Sequence, residues 1–317
     1  MLWGKKQKKA EITRKKPETP QVEEKIVECV PNFSVGHDSA VIHKIVDSIR
    51  NSSVDVLDQS YDEDHNRLVV TFIGTPEKVF SAAYNSIETA TKLIDINKQI
   101  GVHPFIGVVD VVPFIPVKNV NMGDCKDMAK NLGKMVAEKL KVPVYLYGEA
   151  ARNNTFKHLH NIRHGGLDHL RSAISTKDFK PDFGPAQAHP TAGAVAIGAR
   201  DFLIAFNFNL DTDDLAAAKD IAKKIREKDG GLPGIRALGV PLHSKEKVQV
   251  TVNITHYKKT SLKVLMDRVK KEAQAKGISI LNTELIGLVP KDATFPGMKE
   301  YLMLDDYDDG KILETYL

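Results

Sequence analysis

The chain alternates short runs rich in β-branched and aromatic residues with longer segments whose apolar positions recur at helical spacing. Ile26-Val27-Glu28-Cys29-Val30 reads as a strand and Pro31 to Gly36 as a loop, with a helix beginning near Asp38, a residue suited to capping it. A strand is predicted at Val54 to Asp58, a polar loop from Gln59 to Asn66, and a second strand at Leu68 to Ile73. Pro76 then opens an amphipathic helix in which Val79, Ala82, Ala83, Ile87 and Ala90 share one face, ending near Ile94. Val108 to Val117 is a nearly continuous apolar run interrupted by Asp110, Pro113 and Pro116, so it reads as a buried strand with an irregular or edge-like end. A helix at 123–140 and a strand at Val142 to Tyr147 follow. The His- and Arg-rich stretch at 152–180 reads as short helices and loops over one mouth of the fold.

A second unit starts with a strand at Phe202 to Leu210 and continues with a helix at 212–228, capped by Thr212 or Asp213. Strands at 235–241 and 247–255, a helix at 260–276 and a strand at 278–288 complete a β-α-β-β-α-β order, the split βαβ or ferredoxin-like pattern. The first unit begins in the same order and adds a helix and a strand. The fold class that follows is α/β, of the α+β sandwich type, with two related βαββαβ subdomains at 26–200 and 201–317 and a ligand cleft between them.

Composition narrows the function classes. With 42% hydrophobic and 27% charged residues, 317 residues suffice for a sizeable core. No membrane-length apolar stretch and no leader-type N-terminal segment is visible, so a cytoplasmic location and no membrane contact are expected. The net charge of +4 suggests nucleic acid until it is located. Residues 1–25 hold eight Lys or Arg against four Glu; removing them from the totals of 45 and 41 leaves 37 of each sign. The excess belongs to a basic tail that reads as disordered, and the body shows no nucleic-acid footprint. Cys29 and Cys125, without metal spacing, read as free buried thiols.

Four polar segments at strand ends or in loops are candidates for chemistry: Pro31 to Ser34, Asp64 to Arg67, Gly101 to Pro104, and Pro181 to Pro185 with His189-Pro190. His103, held between Gly101 and Pro104 ahead of a buried strand, has the side chain of a base for neutral pH; as a bare residue it serves equally to bond a loop carbonyl. His158, His160, His164 and His169 lack acidic or cysteine partners at ligand spacing, so no metal is expected. Gly165-Gly166 and Gly230-Gly231 lack the strand-then-helix setting of a nucleotide site.

Taken together, Glu28-Cys29-Val30-Pro31-Asn32-Phe33-Ser34, His65-Asn66-Arg67, His103-Pro104 with Asp110-Val111-Val112-Pro113-Phe114-Ile115-Pro116, Pro143 to Ala151, Pro181-Asp182-Phe183-Gly184-Pro185 and Gly198-Ala199-Arg200 occur in the order found in the formiminotransferase family, which the chain resembles. The resemblance spans roughly 26–290. It implies two α/β subdomains flanking a positively lined tunnel, and transfer of a formimino (or formyl) group between N-formimino-L-glutamate and tetrahydrofolate, the cosubstrate. It also implies His103 as the catalytic base. The folate-contacting loop maps to Gly184-Pro185-Ala186-Gln187-Ala188-His189-Pro190-Thr191-Ala192-Gly193, and substrate contacts to Asn32, Asn66, Arg67, Asp110, Arg163 and Arg200. A homodimer, and a single-function form with no cyclodeaminase within these 317 residues, are further expectations. The chain departs from the family at Val35 and Val102, where acidic residues are usual, and at Phe105, where arginine is usual. These departures imply a less charged pocket and a less firmly oriented histidine, and with them either a changed substrate or a folate-binding protein with reduced or lost turnover.

Overall fold

A computed structural model of the chain describes residues 24–317. The basic tail read at 1–25 lies, apart from its last two positions, outside the described residues. In the first half β1 (Ile26–Cys29), β2 (Asn32–Phe33), α1 (Ser39–Arg50), β3 (Asp55–Asp62), β4 (Arg67–Gly74), α2 (Pro76–Leu93) and β5 (Val109–Lys118) are followed by α3 (Met122–Leu140), β6 (Val144–Gly148), α4 (Leu159–Ile162), α5 (Gly166–Ala173) and β7 (Val195–Ala199). The second half holds β8 (Ile204–Leu210), α6 (Leu215–Ile225), β9 (Ile235–Leu242), β10 (Lys247–Ile254), α7 (Leu262–Gln274), β11 (Ile280–Ile286) and α8 (Met298–Leu302).

β1 and β2 are two pieces of one strand position, interrupted at Val30-Pro31, and both pair with β4 and with β5. With those pieces merged, the first sheet runs β3-β4-β1/β2-β5-β7-β6, and the second runs β11-β8-β10-β9. Numbered within each unit, both contain the antiparallel succession second, third, first, fourth, so the expected relation between the two subdomains is present. The first sheet is then extended by β7 and β6, which run parallel to β5.

Two local expectations are corrected. Gln59 to Asp62 belongs to β3 rather than to a loop, because the strand lies at the sheet edge and pairs only with β4, which leaves most of its side chains wet. β5 is the buried strand expected, flanked by β1 and β2 on one side and β7 on the other, and its end is irregular as read, with a register shift against β1 between Val27 and Ile26. Its Pro116 falls beyond Phe114, the last residue paired with β7. Helix α6 is capped by Asp214, which accepts from the Ala216 and Ala217 amides, rather than by Thr212 or Asp213. The cap at Asp38 and the two free buried cysteines are as read from the sequence.

One face of the first sheet packs on α1, α2 and α3 through residues such as Phe33, Phe72, Ile87, Phe114 and Leu132. One face of the second packs on α6 and α7 around Phe206 and Phe208, whose rings meet edge to face at 5.1 Å. The other face of the first sheet is covered along β5, β6 and β7 by α4, α5 and their loops, where Val111, Tyr145 and Ala196 pack with Phe156, Ile162 and Leu170, and at Ile26 and Ile73 it meets the second half. Ile26 and Ile73 of the first sheet form an apolar cluster with Leu288 and Leu313, and Lys311 Nζ reaches Asp58 Oδ1 at 2.7 Å. The inner face of the second sheet is polar: Asn207, Asn209, Gln249 and Glu284 occupy the strand positions alternate to the apolar ones. No helix among the described residues is long and apolar enough to cross a membrane.

Phe206 is fully buried at the centre of the smaller core. Phe206→Ala is expected to cost about 3–5 kcal/mol in urea unfolding, since the cavity left between β8 and its helices is walled by a hydrogen-bonded sheet that limits collapse.

Candidate active site

Asp110 lies on β5 within an otherwise apolar run, with a fully buried side chain. Its Oδ1 accepts the Ile106 amide at 3.2 Å, which closes the turn that follows His103. Its Oδ2 accepts from Arg67 Nη1 at 3.1 Å and from Arg163 Nη2. One carboxylate thus holds two guanidinium groups, one from the start of β4 and one from the C-terminus of α4. The cluster keeps one uncompensated positive charge in a mostly buried place. Arg67 is placed further by Asn32 on β2, whose Oδ1 accepts from Arg67 Nε at 2.9 Å. Arg163 Nε, also buried, has no hydrogen-bond partner among the described residues.

His103 stands against this cluster. Its Nδ1 is 2.7 Å from the Pro104 carbonyl oxygen and 2.8 Å from Arg67 Nη1. The carbonyl only accepts and the guanidinium only donates, so one nitrogen satisfies one of them at a time. With the proton on Nδ1 the carbonyl is served, Arg67 Nη1 is satisfied by Asp110, and Nε2 carries the lone pair a base requires. Burial, then the charges of Arg67 and Arg163, hold the His103 pKa well below 6.5, so the ring is neutral at physiological pH. Burial and the neighbouring Arg163 lower Arg67 to about 10, which still leaves it charged.

The histidine loop is anchored from three sides. Val102 N donates to Asp64 O at 3.1 Å, and Gly101 packs so closely on the His65 carbonyl that an added Cβ would lie 2.5 Å from that oxygen. Asn66, at φ 45°, accepts from Gly36 N at 2.7 Å and donates to the side-chain oxygen Gln99 Oε1 at 2.6 Å, so both ends of its amide are used in tying loops together. Gly107 bridges Gly193, and Ile96 N donates to Thr191 O, tying the end of the 184–193 loop to the histidine loop.

The structure divides the residues named from the sequence. Asn32, Arg67, His103, Asp110 and Arg163 converge. Ala188, His189, Thr191, Ala192 and Gly193 lie at the near end of their loop, where His189 Nδ1 accepts the Ala192 amide at 3.0 Å and Asn97 Nδ2 reaches Pro190 O at 3.0 Å. Gly184 and Pro185 sit instead against α3, with Ala137 and Pro143 as neighbours of Gly184, and Ala186 and Gln187 are exposed between the two ends. Arg200 does not bond to Asp110; it lies beside Glu28 and Tyr147, and the charge of Arg163 acts on Tyr147 as well. Glu28, 2% exposed, occupies the inner face because Val27 and Cys29 point into the helical core; burial raises its carboxyl to about 7 against the pull of Arg200. The four histidines at 158–169 form two ring pairs, and among the described residues no group of three His, Cys, Asp or Glu is placed to hold a metal.

Of the three departures from the family, Val102 is half-buried next to His103. Val35 is buried in the helical core, and Phe105 packs against that core.

Residues 26–200 match the model of the formiminotransferase domain, N-terminal subdomain, and residues 205–308 match that of the formiminotransferase domain. The chain belongs to the formiminotransferase family. Similar members include glutamate formimidoyltransferase of Thermoplasma acidophilum, 42% identical over 292 residues, covering 91% of this chain and 96% of that one. Glutamate formimidoyltransferase of Streptococcus pyogenes is 37% identical, covering 92% and 99%. The formimidoyltransferase-cyclodeaminase of Mus musculus is 40% identical over 274 residues, which cover 84% of this chain and 51% of that longer protein. Family membership accords with the paired sheets and the polar inner face of the second. The sequence reading missed His65, whose ring centroid lies 6.2 Å from that of His103; its place beside Asn66-Arg67 in the family-like segment was the available signal.

Glu28 gives this formiminotransferase-family chain a testable pH dependence. Its pKa rises from 4.5 to about 7 on folding, so its contribution is fully present below 4.5 and is lost as pH rises through about 7. Glu28→Gln, neutral throughout, is expected to gain about 3 kcal/mol relative to the parent between pH 4 and pH 8, read from denaturant unfolding at both values.

Proposed function

We propose that this chain transfers a formimino group from N-formimino-L-glutamate to tetrahydrofolate, with His103 as the base. The observation that carries the assignment of roles is a neutral His103 beside a guanidinium pair that Asp110 only half compensates. Family membership and relatives named glutamate formimidoyltransferase supply the reaction.

In this reading Nε2 of His103 takes the proton from folate N5 as that nitrogen attacks the formimino carbon, and the tetrahedral adduct then releases glutamate. Arg163 Nε is a buried donor with no protein partner, and it suits a substrate carboxylate, to which a guanidinium binds through two parallel hydrogen bonds. The residual positive charge favours the same ligand. Much of the remaining acceleration comes from holding donor and acceptor together in the cleft between the sheets. The near end of the 184–193 loop, joined to the histidine loop by backbone hydrogen bonds, is read as part of the folate site. Arg200 and Glu28 are read as lining the same cleft. A folate-binding protein without turnover finds no support at Val35 or Phe105, whose side chains serve the core.

Turnover of tetrahydrofolate with N-formimino-L-glutamate, followed by absorbance, tests the reading. His103→Ala is expected to lower kcat by roughly 100-fold or more; an unchanged rate in that variant removes the histidine from the chemistry. Because burial and two arginines depress its pKa, the acid limb of kcat/KM is expected below 6.5, with a flat profile through neutral pH. A limb at or above 6.5 contradicts the neutral-base assignment.

A further inference from the structure

The inner face of the second sheet carries a hydrogen-bond network whose direction is forced. Glu284 on β11 is a carboxylate and only accepts. Asn209 Nδ2 therefore faces its Oε1 at 2.8 Å, and Gln249 Nε2 faces its Oε2 at 3.2 Å. Gln249 Nε2 also donates to Asn209 Oδ1 at 2.8 Å, and Asn209 Nδ2 to Asn282 Oδ1 at 2.7 Å. Both amides are thus fixed in orientation, and the carbonyl oxygen of Gln249 is left pointing away from the carboxylate. That oxygen is 3.1 Å from Nε2 of His65, which rises from the β3–β4 turn of the other subdomain. An amide oxygen needs a donor, so Nε2 of His65 carries a proton. No described residue hydrogen-bonds to the other ring nitrogen, Nδ1.

His65 and His103 are consequently held in opposite senses. The carbonyl of Pro104 takes the Nδ1 proton of His103 and leaves Nε2 for chemistry, whereas Gln249 takes the Nε2 proton of His65 and leaves Nδ1. With ring centroids 6.2 Å apart, and each hydrogen bond spanning about 3 Å, two such rings reach two nitrogens bonded to one carbon. That is the arrangement of the adduct through which formimino transfer passes, in which the incoming folate nitrogen and the departing glutamate nitrogen share a carbon.

We propose that His65 is the second acid–base residue of the transfer, delivering a proton from Nδ1 to the departing glutamate nitrogen, and that Glu284 and Gln249 are positioning residues that fix its tautomer. The proposal rests on the transferase reading above. The N5–C bond forms as the N5 proton passes to Nε2 of His103. That proton then passes through water from His103 to the Nδ1 lone pair of His65, which the hydrogen bond to Gln249 leaves open. The C–N bond to glutamate breaks as its electron pair takes the proton from Nδ1, so both rings return to their neutral starting states. The second subdomain in this view supplies polarity to the site across the interface as well as covering it.

Two measurements on the full chain test this. Nitrogen-15 NMR of the ligand-free protein with labelled histidine is expected to show neutral His65 protonated at Nε2, and Glu284→Gln, which adds a donor to the network, is expected to weaken that preference. A neutral His65 protonated at Nδ1 in the parent protein overturns the positioning role without reference to any activity. In steady-state kinetics His65→Ala is expected to lower kcat roughly 100-fold with KM for tetrahydrofolate changed less than about threefold. A kcat within threefold of the parent overturns the acid role while leaving the transferase reading intact. Absence of turnover in the parent itself removes both that reading and the acid role, and the NMR result then stands alone.

Discussion

The site depends on one buried carboxylate. Among the described residues Asp110 is the only partner that Arg67 Nη1 and Arg163 Nη2 have in common, and without it two guanidinium groups would lie side by side in a partly desolvated place. Breaking a buried pair of this kind costs several kcal/mol because the surviving charge has nowhere to go. The same side chain receives the Ile106 amide, so the backbone after His103 is set by the group that sets the two cations. The surplus positive charge follows from two arginines sharing a single acid, and after burial it is that charge which holds the histidine pKa down.

Much of this was legible from the chain. Asp110 stood out as a charge inside an apolar run, and such a residue in a buried strand is retained only with partners. His103 was marked by Gly101 and Pro104, and the structure explains the glycine: no side chain fits against the His65 carbonyl. Helix α1 began at the cap the sequence offered, at Asp38. The second subdomain was legible as a complete βαββαβ unit because its strands alternate cleanly between core and cleft.

What was not legible has physical causes. β7, Val195-Ala196-Ile197-Gly198-Ala199, has small residues where strand propensity asks for branched ones, because it lies between two parallel neighbours; an added Cβ at Gly198 would lie 2.4 Å from the Tyr147 carbonyl. β3 looked like a loop past Asp58 because an edge strand can be polar on both faces. Arg200 adjoins a family-like segment but does not share Asp110 with Arg67 and Arg163; its neighbours are Glu28 and Tyr147. Val35 and Phe105 show that proximity in sequence to the site does not say which way a side chain points: the first lies in the core and the second packs against it. His65 was hidden because its role comes from Gln249, 184 positions away in the chain.

The passage from one sheet to the other is short. β7 ends at Ala199 and β8 begins at Ile204, so residues 200–203 are all the covalent link the two halves have there, and Arg200 is its first member. Arg200 is also the cation that opposes the desolvation of Glu28. The fulcrum about which the halves would pivot therefore carries an electrostatic duty of its own. Any rotation that widened the gap at that end would displace a guanidinium and hydrate a carboxyl in one stroke, so the ionisation of Glu28 registers how far the two sheets stand apart.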